Sequence, residues 1–372
     1  MKQFFSNALI LTEKGFVKGG FEVEKGRFLN LGKEITGGIN LKGAKVLPGL
    51  FDIHTHGASG YDFNTLKNQD EMAEICRYYT LNGATSVLAT LLTDDNEKLF
   101  DQLQLVSDLS KKFPVIRGIH LEGPFLSLKY KGAMPPQHLK APDIELFNKF
   151  QEKAGGLIKL ITIAPELDGA EKFTKAVAKS GVTVSLGHSG ADFNQTRLCV
   201  KAGAKCFTHI FNAMKPIDHH DASIAAYALY SDNYCEAIAD GKHLERNILK
   251  MLSKIKKNRL IGVTDSLSCA GLPDGNYFLA GTPIYVKNGD ARLISSDTRA
   301  GSTLNIFDGF KNYMEFCGVD EVEATKVFAK APSKLLSLDK ERGSIEAGKF
   351  ADFIVVEGQK VTHTYIEGEI QN

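Results

Sequence analysis

Five histidines and two carboxylates of this chain stand where they could share one piece of chemistry. His54 and His56 close an apolar run in Asp52-Ile-His-Thr-His-Gly. His188 follows a second run in Leu186-Gly-His-Ser, His209 a third in Phe207-Thr-His-Ile, and His243 a fourth in Ala239-Asp-Gly-Lys-His. Glu122 ends a run in His120-Leu-Glu-Gly-Pro, and Asp265 ends one in Val263-Thr-Asp-Ser. Taken singly, each has a plainer explanation. A strand-end His is more often a hydrogen-bonded structural residue, and a strand-end Asp usually caps the next helix. Convergence is what argues for more. Imidazoles and carboxylates without a cysteine suit a catalytic divalent transition metal. Zn, Fe, Mn and Co all accept such a set, with one ion or two.

The elements that must position these residues follow a regular alternation. Eight short apolar runs cover 44–53, 84–92, 115–121, 157–164, 182–186, 205–208, 235–239 and 260–263. Their hydrophobicity is nearly continuous, as expected of parallel strands covered on both faces. Stretches with helical periodicity lie between them, at 68–81, 96–112, 170–179, 196–202 and 244–256. The pattern predicts an α/β fold, a (β/α)8 TIM-like barrel over 48–341 with its site at the C-terminal strand ends. In a strand, residues i and i+2 share a face. His54 and His56 are therefore expected to enter the mouth together. Residues 1–47 and 342–372 read as short strands with glycine turns, each too small for its own core. Together they predict one small β-sandwich domain built from both termini. A Gly/Pro/Asn-rich excursion between Gly271 and Gly301 carries two strand candidates, around Tyr277 and at Pro283-Ile-Tyr-Val.

Bulk properties narrow the function classes. Among 372 residues, 45 Lys plus Arg balance 44 Asp plus Glu. That excludes nucleic-acid binding through a global basic field. The six cysteines form no Cys-x-x-Cys pair and several sit in apolar runs, which fits reduced thiols in the cytoplasm. The N-terminal stretch lacks a small-residue cleavage site and reads as a strand, not a signal peptide. No apolar stretch approaches the roughly 20 residues that span a bilayer.

The stretch Leu47-Pro-Gly-Leu-Phe-Asp-Ile-His-Thr-His-Gly, with the later strand-end His and Asp, resembles the metal-dependent amidohydrolase superfamily. The closing Gly343-Ser-Ile-Glu-Ala-Gly-Lys-Phe-Ala-Asp-Phe resembles that superfamily's return to its small β-domain. Within it the chain resembles the N-acetylglucosamine-6-phosphate deacetylase family. The carriers are Leu121-Glu-Gly-Pro-Phe, Gly187-His-Ser, Thr208-His-Ile-Phe-Asn-Ala-Met, Ile238-Ala-Asp-Gly-Lys-His, Val263-Thr-Asp-Ser and Ala300-Gly-Ser-Thr-Leu. The resemblance implies Glu122, His188 and His209 as primary metal ligands. Glu122 would bridge to a second metal on His54 and His56, and Asp265 would be the catalytic acid/base. It further implies substrate contacts from Ala133, Asn212, Ala213, His220, His243, Ala300, Gly301 and Ser302, and a homodimer. The expected cofactor is a divalent transition metal, Zn or Fe first. The expected partner is a small amino-sugar substrate, with no nucleic acid and no membrane.

Two positions depart from the family pattern. Met134 stands where the family has a carbonyl-directed His, and a thioether donates no hydrogen bond. A second metal, or His138 nearby, is the expected substitute. His220 stands at the position of an Arg that reaches the neighbouring subunit's substrate phosphate. A His lacks the fixed guanidinium fork, so the 6-phosphate is less firmly expected than the acetamide. The rival expectations are a deacetylase of another N-acetyl amino sugar (the galactosamine epimer or an unphosphorylated one), another amidohydrolase, and a non-catalytic barrel protein.

Overall fold

A computed structural model describes residues 2–371. Eight parallel strands form the barrel: Leu50–Thr55, Ala84–Leu92, Ile116–Glu122, Ile158–Ile163, Thr183–Leu186, Cys206–Phe207, Tyr234–Ile238 and Leu260–Val263. They pair in chain order from first to eighth. The seam between first and eighth closes at the mouth. There Asp265 N–H donates to His54 O at 2.9 Å, and His56 N–H donates to Ser266 O at 2.8 Å. Every residue of Ala84–Leu92 is buried, which explains the unbroken apolar run. Helices return between strands, and several start on side-chain caps. Asn68 caps Gln69–Leu81 and Asp95 caps Asn96–Ser110. Asp192 and Gln195 form a reciprocal capping box ahead of Phe193–Ala202.

The run read as one strand over 44–53 is two. Lys45–Pro48 belongs to the terminal sheet and pairs antiparallel with Phe353–Val356. Leu50–Thr55 belongs to the barrel. Pro48 has no N–H to continue a ladder. At Gly49 the two sheets meet so closely that a Cβ would lie 2.2 Å from the Thr85 side chain. Gly49 N–H donates to Asp352 O at 3.0 Å, tying the junction to the far end of the chain.

The terminal sheet has eight strands drawn from both ends of the chain. The hydrogen-bonded path folds over an aromatic core. Phe5 stacks on Phe21 with ring centroids 4.7 Å apart, and Phe353 stacks on Tyr365 at 4.4 Å. A bridge between Arg27 and Phe350 brings distant parts of the path together. The 271–301 excursion is a four-stranded antiparallel sheet: Gly275–Leu279, Thr282–Lys287, Asp290–Leu293 and Arg299–Ser302. Its apolar face packs on Leu92, Leu126, Met134 and Leu267. That contact sets the excursion over the barrel mouth.

Candidate active site

Glu122, His188 and His209 end or follow the third, fifth and sixth barrel strands. The Nε2 atoms of His188 and His209 each lie 3.1 Å from Glu122 Oε1 and 3.1 Å from one another. His54 and His56 close on the same carboxylate from the first strand. His54 Nε2 is 3.5 Å from Oε1, and His56 Nε2 is 3.4 Å from Oε2. Asp265 faces this pair, with Oδ1 at 3.1 Å from His56 Nε2 and 3.6 Å from His54 Nε2. Glu122 thus belongs to two ligand-competent triads, with His54 and His56 and with His188 and His209.

The ring tautomers can be read from their outer partners. His188 Nδ1 donates to the Tyr130 carbonyl at 3.0 Å. His54 Nδ1 donates to Glu236 Oε2 at 2.9 Å. A carbonyl and a carboxylate only accept. In a neutral ring, each Nε2 then turns a lone pair inward. His54 Nε2 is buried without a hydrogen-bond partner. Three buried carboxylates, Glu122, Glu236 and Asp265, surround the centre. Among the described residues they pair with imidazoles and with no lysine or arginine. Converging lone pairs and uncompensated negative charge are what a divalent cation requires, so the donor set fits a metal.

The buried charges of the centre perturb one another strongly. Burial opposes charge on Glu122, but His54, His188 and His209 outweigh it and hold the carboxyl well below the usual range. Burial likewise opposes charge on Asp265, and His54, His56 and His209 still keep its pKa low. Burial disfavours a charged His54, but Glu122, Glu236 and Asp265 raise its pKa. His120 lies behind this layer. Burial, reinforced by His54, pushes its pKa far down, so it is a neutral hydrogen-bonding core residue. It contacts Thr162 Oγ1 at 2.8 Å and Thr90 Oγ1 at 3.3 Å.

Three of these residues carry a backbone that side chains rarely adopt. His188, His209 and Asp265 have φ of 47°, 27° and 51°. Such left-handed positions cost on the order of 1–3 kcal/mol each and persist only where the surroundings over-determine them. At Asp265 the surroundings include Ser302, whose N–H donates to Asp265 O at 2.8 Å. Gly301 makes that approach possible, because a Cβ there would lie 2.9 Å from Asp265 O.

Residues 45–371 match the amidohydrolase family. The chain is 34% identical over 335 residues to the N-acetylglucosamine-6-phosphate deacetylase of Bacillus subtilis, covering 87% of this chain and 84% of that one. The chain belongs to the amidohydrolase family, among the N-acetylglucosamine-6-phosphate deacetylases. The human deacetylase is 30% identical over 377 residues, covering 97% of this chain and 92% of that one. A solved structure of a variant Mycobacterium smegmatis deacetylase, in complex with N-acetyl-D-glucosamine-6-phosphate, superposes with a TM-score of 0.93. Its identity is 30%, and 99% of each chain is covered. The Thermotoga maritima deacetylase gives a TM-score of 0.90 at 32% identity, again with 99% of each chain covered.

In this amidohydrolase the metal-competent centre opens on a cavity of about 290 Å³. Ala133, Asn212, Ala213, His243, Ala300 and Gly301 line it. Asn212 is pinned by its Nδ2, which donates to the carbonyls of His209 and Ile210 at 3.2 Å. His243 is held by Asp240, which accepts from Nδ1 at 2.7 Å. Ser302 and His220 lie outside this lining. Ser302 is buried behind the lining, its hydroxyl donating to Thr264 O at 2.5 Å, so it braces the Asp265 turn. His220 is exposed in the Lys215–Asp221 loop and does not line this chain's own cavity.

Met134 does line the cavity and is simultaneously packed into the apolar cluster under the four-stranded sheet. His138 is not available to replace a carbonyl donor. It lies outside the lining, 3.9 Å from Asp94. Sequence reasoning missed Lys129, Tyr130 and Arg299 in the lining, and Glu236 behind it. Glu236 had a signal, as the lone charge in the otherwise apolar strand Tyr234-Cys-Glu-Ala-Ile.

Proposed function

We propose that this chain hydrolyses the acetamide of N-acetylglucosamine 6-phosphate, giving glucosamine 6-phosphate and acetate. The observation that carries the reading is the joint placement of the Glu122, His188 and His209 triad and Asp265 on the floor of one cavity. The deacetylase relatives support the substrate.

Glu122, His188 and His209 would hold the primary metal, with His54, His56 and Glu122 available for a second. When bound, the metal supplies Lewis acidity toward the acetyl carbonyl and lowers the pKa of water. The other tasks fall to the chain. Asp265, kept anionic beside His54 and His56, takes a proton as the water oxygen bonds to the acyl carbon. It returns that proton to the nitrogen as the C–N bond breaks, so the amine departs neutral. Asn212, Ala213, His243, Ala133, Ala300 and Gly301, which line the cavity, contact the sugar. Ser302 acts from behind, by fixing the Asp265 backbone.

His220 belongs to the proposal in a different way. An exposed residue outside its own cavity serves a sugar phosphate if it reaches the cavity of a second copy, so the working assembly is a homodimer. The six free, buried cysteines support a reducing, cytoplasmic setting. Among the described residues no helix is long and apolar enough to cross a membrane.

The test is acetate release by the metal-loaded protein from N-acetylglucosamine and N-acetylgalactosamine, each with and without the 6-phosphate. The expected ranking of kcat/KM puts N-acetylglucosamine 6-phosphate first. A higher value for an unphosphorylated or galacto sugar would reassign the substrate. No release from any of the four would remove the activity.

A further inference from the structure

We infer that Glu236 is a positioning residue that binds the two ligand triads into one two-metal centre. The inference rests on the two-metal form of the reading above and assigns a carboxylate that makes no contact with the cavity.

Glu236 lies mid-way along the seventh barrel strand and is fully buried. One oxygen, Oε2, does two jobs. It accepts from His54 Nδ1 at 2.9 Å and from the His209 backbone N–H at 3.1 Å. His54 belongs to one triad and His209 to the other. Glu122 therefore joins the triads from the front, and Glu236 joins them from behind. The second oxygen, Oε1, is buried with no hydrogen-bond partner. A carboxylate so placed is a poor stabilising device, because removing its charge from water is not repaid by one imidazole. Its value lies in what it imposes on that imidazole.

A neutral imidazole carries one N–H, on either nitrogen. Without an acceptor at Nδ1, the His54 proton can move to Nε2 and point at Glu122 or Asp265, 3.5 and 3.6 Å away. That tautomer offers no lone pair to a metal. Glu236 excludes it by holding the proton at Nδ1. The ring plane is set independently by His120, edge-on with centroids 4.6 Å apart. The bond to His209 N–H acts on the other triad, at the residue whose φ of 27° needs an external hold. Partners of this kind typically tune metal affinity by about 10–100-fold.

Zn²⁺ binding by the full-length protein, measured by stoichiometry after dialysis and by chelator competition, tests the assignment. The wild type is expected to hold two ions. Glu236→Ala is expected to keep one tightly and to bind the second about 10–100-fold more weakly, with kcat falling more than KM changes. Glu236→Gln is the rescue variant. Its amide oxygen can occupy the Oε2 position and accept both bonds, so the second ion should be held within about tenfold of wild type. Circular dichroism of the metal-free proteins keeps folding out of the comparison. If Glu236→Ala does not fold, Glu236→Asp, whose carboxylate falls short of His54, replaces it. Two ions held at wild-type affinity by the truncated variant would overturn the role of Glu236 alone. A wild type that holds one ion, unchanged by His54→Ala with His56→Ala, would instead overturn the two-metal reading, and the role with it.

Discussion

On the cavity floor, Glu122, Asp265 and the His54, His56, His188 and His209 rings are buried, and the flanking strands and carboxylates give each more than one contact. In the exposed loops the construction is different. Lys129 is exposed, His219 and His220 stand together in solvent with ring centroids 3.8 Å apart, and Lys215 is tied to Asp221. Floor residues sit on strand ends that the whole barrel holds in register, and the loop side chains meet neighbours within their own loops. Bond cleavage needs geometry good to fractions of an ångström, and the floor provides it. Recognition of a charged group at the sugar's far end tolerates looser placement and can be shared with a second copy of the chain. The two regions should therefore respond very differently to substitution.

The largest effect is expected at the primary triad. His188→Ala or His209→Ala should remove bound metal and activity together and leave a folded barrel, read by metal analysis and circular dichroism. A metal-free His209→Ala protein with full activity would break the assignment of the floor. Next comes Asp265→Asn, which keeps the shape and removes the base. Its kcat should fall about 10²–10⁴-fold, the usual worth of a positioned acid/base, with metal content unchanged. A loss below about tenfold would show that the proton passes elsewhere. The smallest effect belongs to the loops. His220→Ala and Lys129→Ala should leave kcat nearly intact. Each should reduce the preference for phosphorylated over unphosphorylated sugar by only a few-fold, since exposed charge pairs are worth roughly 0.2–1 kcal/mol. If either collapses kcat as Asp265→Asn does, the division between floor and loops is wrong.

Much of the floor was legible in the sequence for the same reason that it is rigid. A parallel strand buried on both faces must be continuously apolar, so a polar residue at its end stands out, as Glu122 and His209 do. Periodicity found five of the helices but not Ile224–Tyr230, whose sequence IAAYALY has no polar face to alternate with its apolar one. It also passed over Ile144–Lys153 and Ile306–Cys317. Lys45–Pro48 and Leu50–Thr55 merged in the reading because hydrophobicity does not record which sheet a strand joins. The depth of Ser302 and the exposure of His220 were not legible, because spacing along the chain does not say whether a side chain stands in a lining, behind it or outside it. Glu236 went unread because its meaning depends on His54, a partner 182 positions away.

The pairing of Lys45–Pro48 with Phe353–Val356 has a consequence for synthesis on the ribosome. His54 and His56 emerge early, at the end of a strand that runs directly out of Lys45–Pro48 through Gly49. The strand that flanks Lys45–Pro48 on its outer side is translated long after the eighth barrel strand. Throughout that interval the nascent chain carries an unpaired hydrophobic edge, and such edges invite mispairing. Emergence of Phe353–Val356, and not completion of the barrel strands, is therefore the moment at which the segment leading into the first barrel strand gains its last flanking partner. A ribosome stalled before Phe353 would hold a barrel sequence complete in every strand, with the partner of the segment that leads into the first of them still missing.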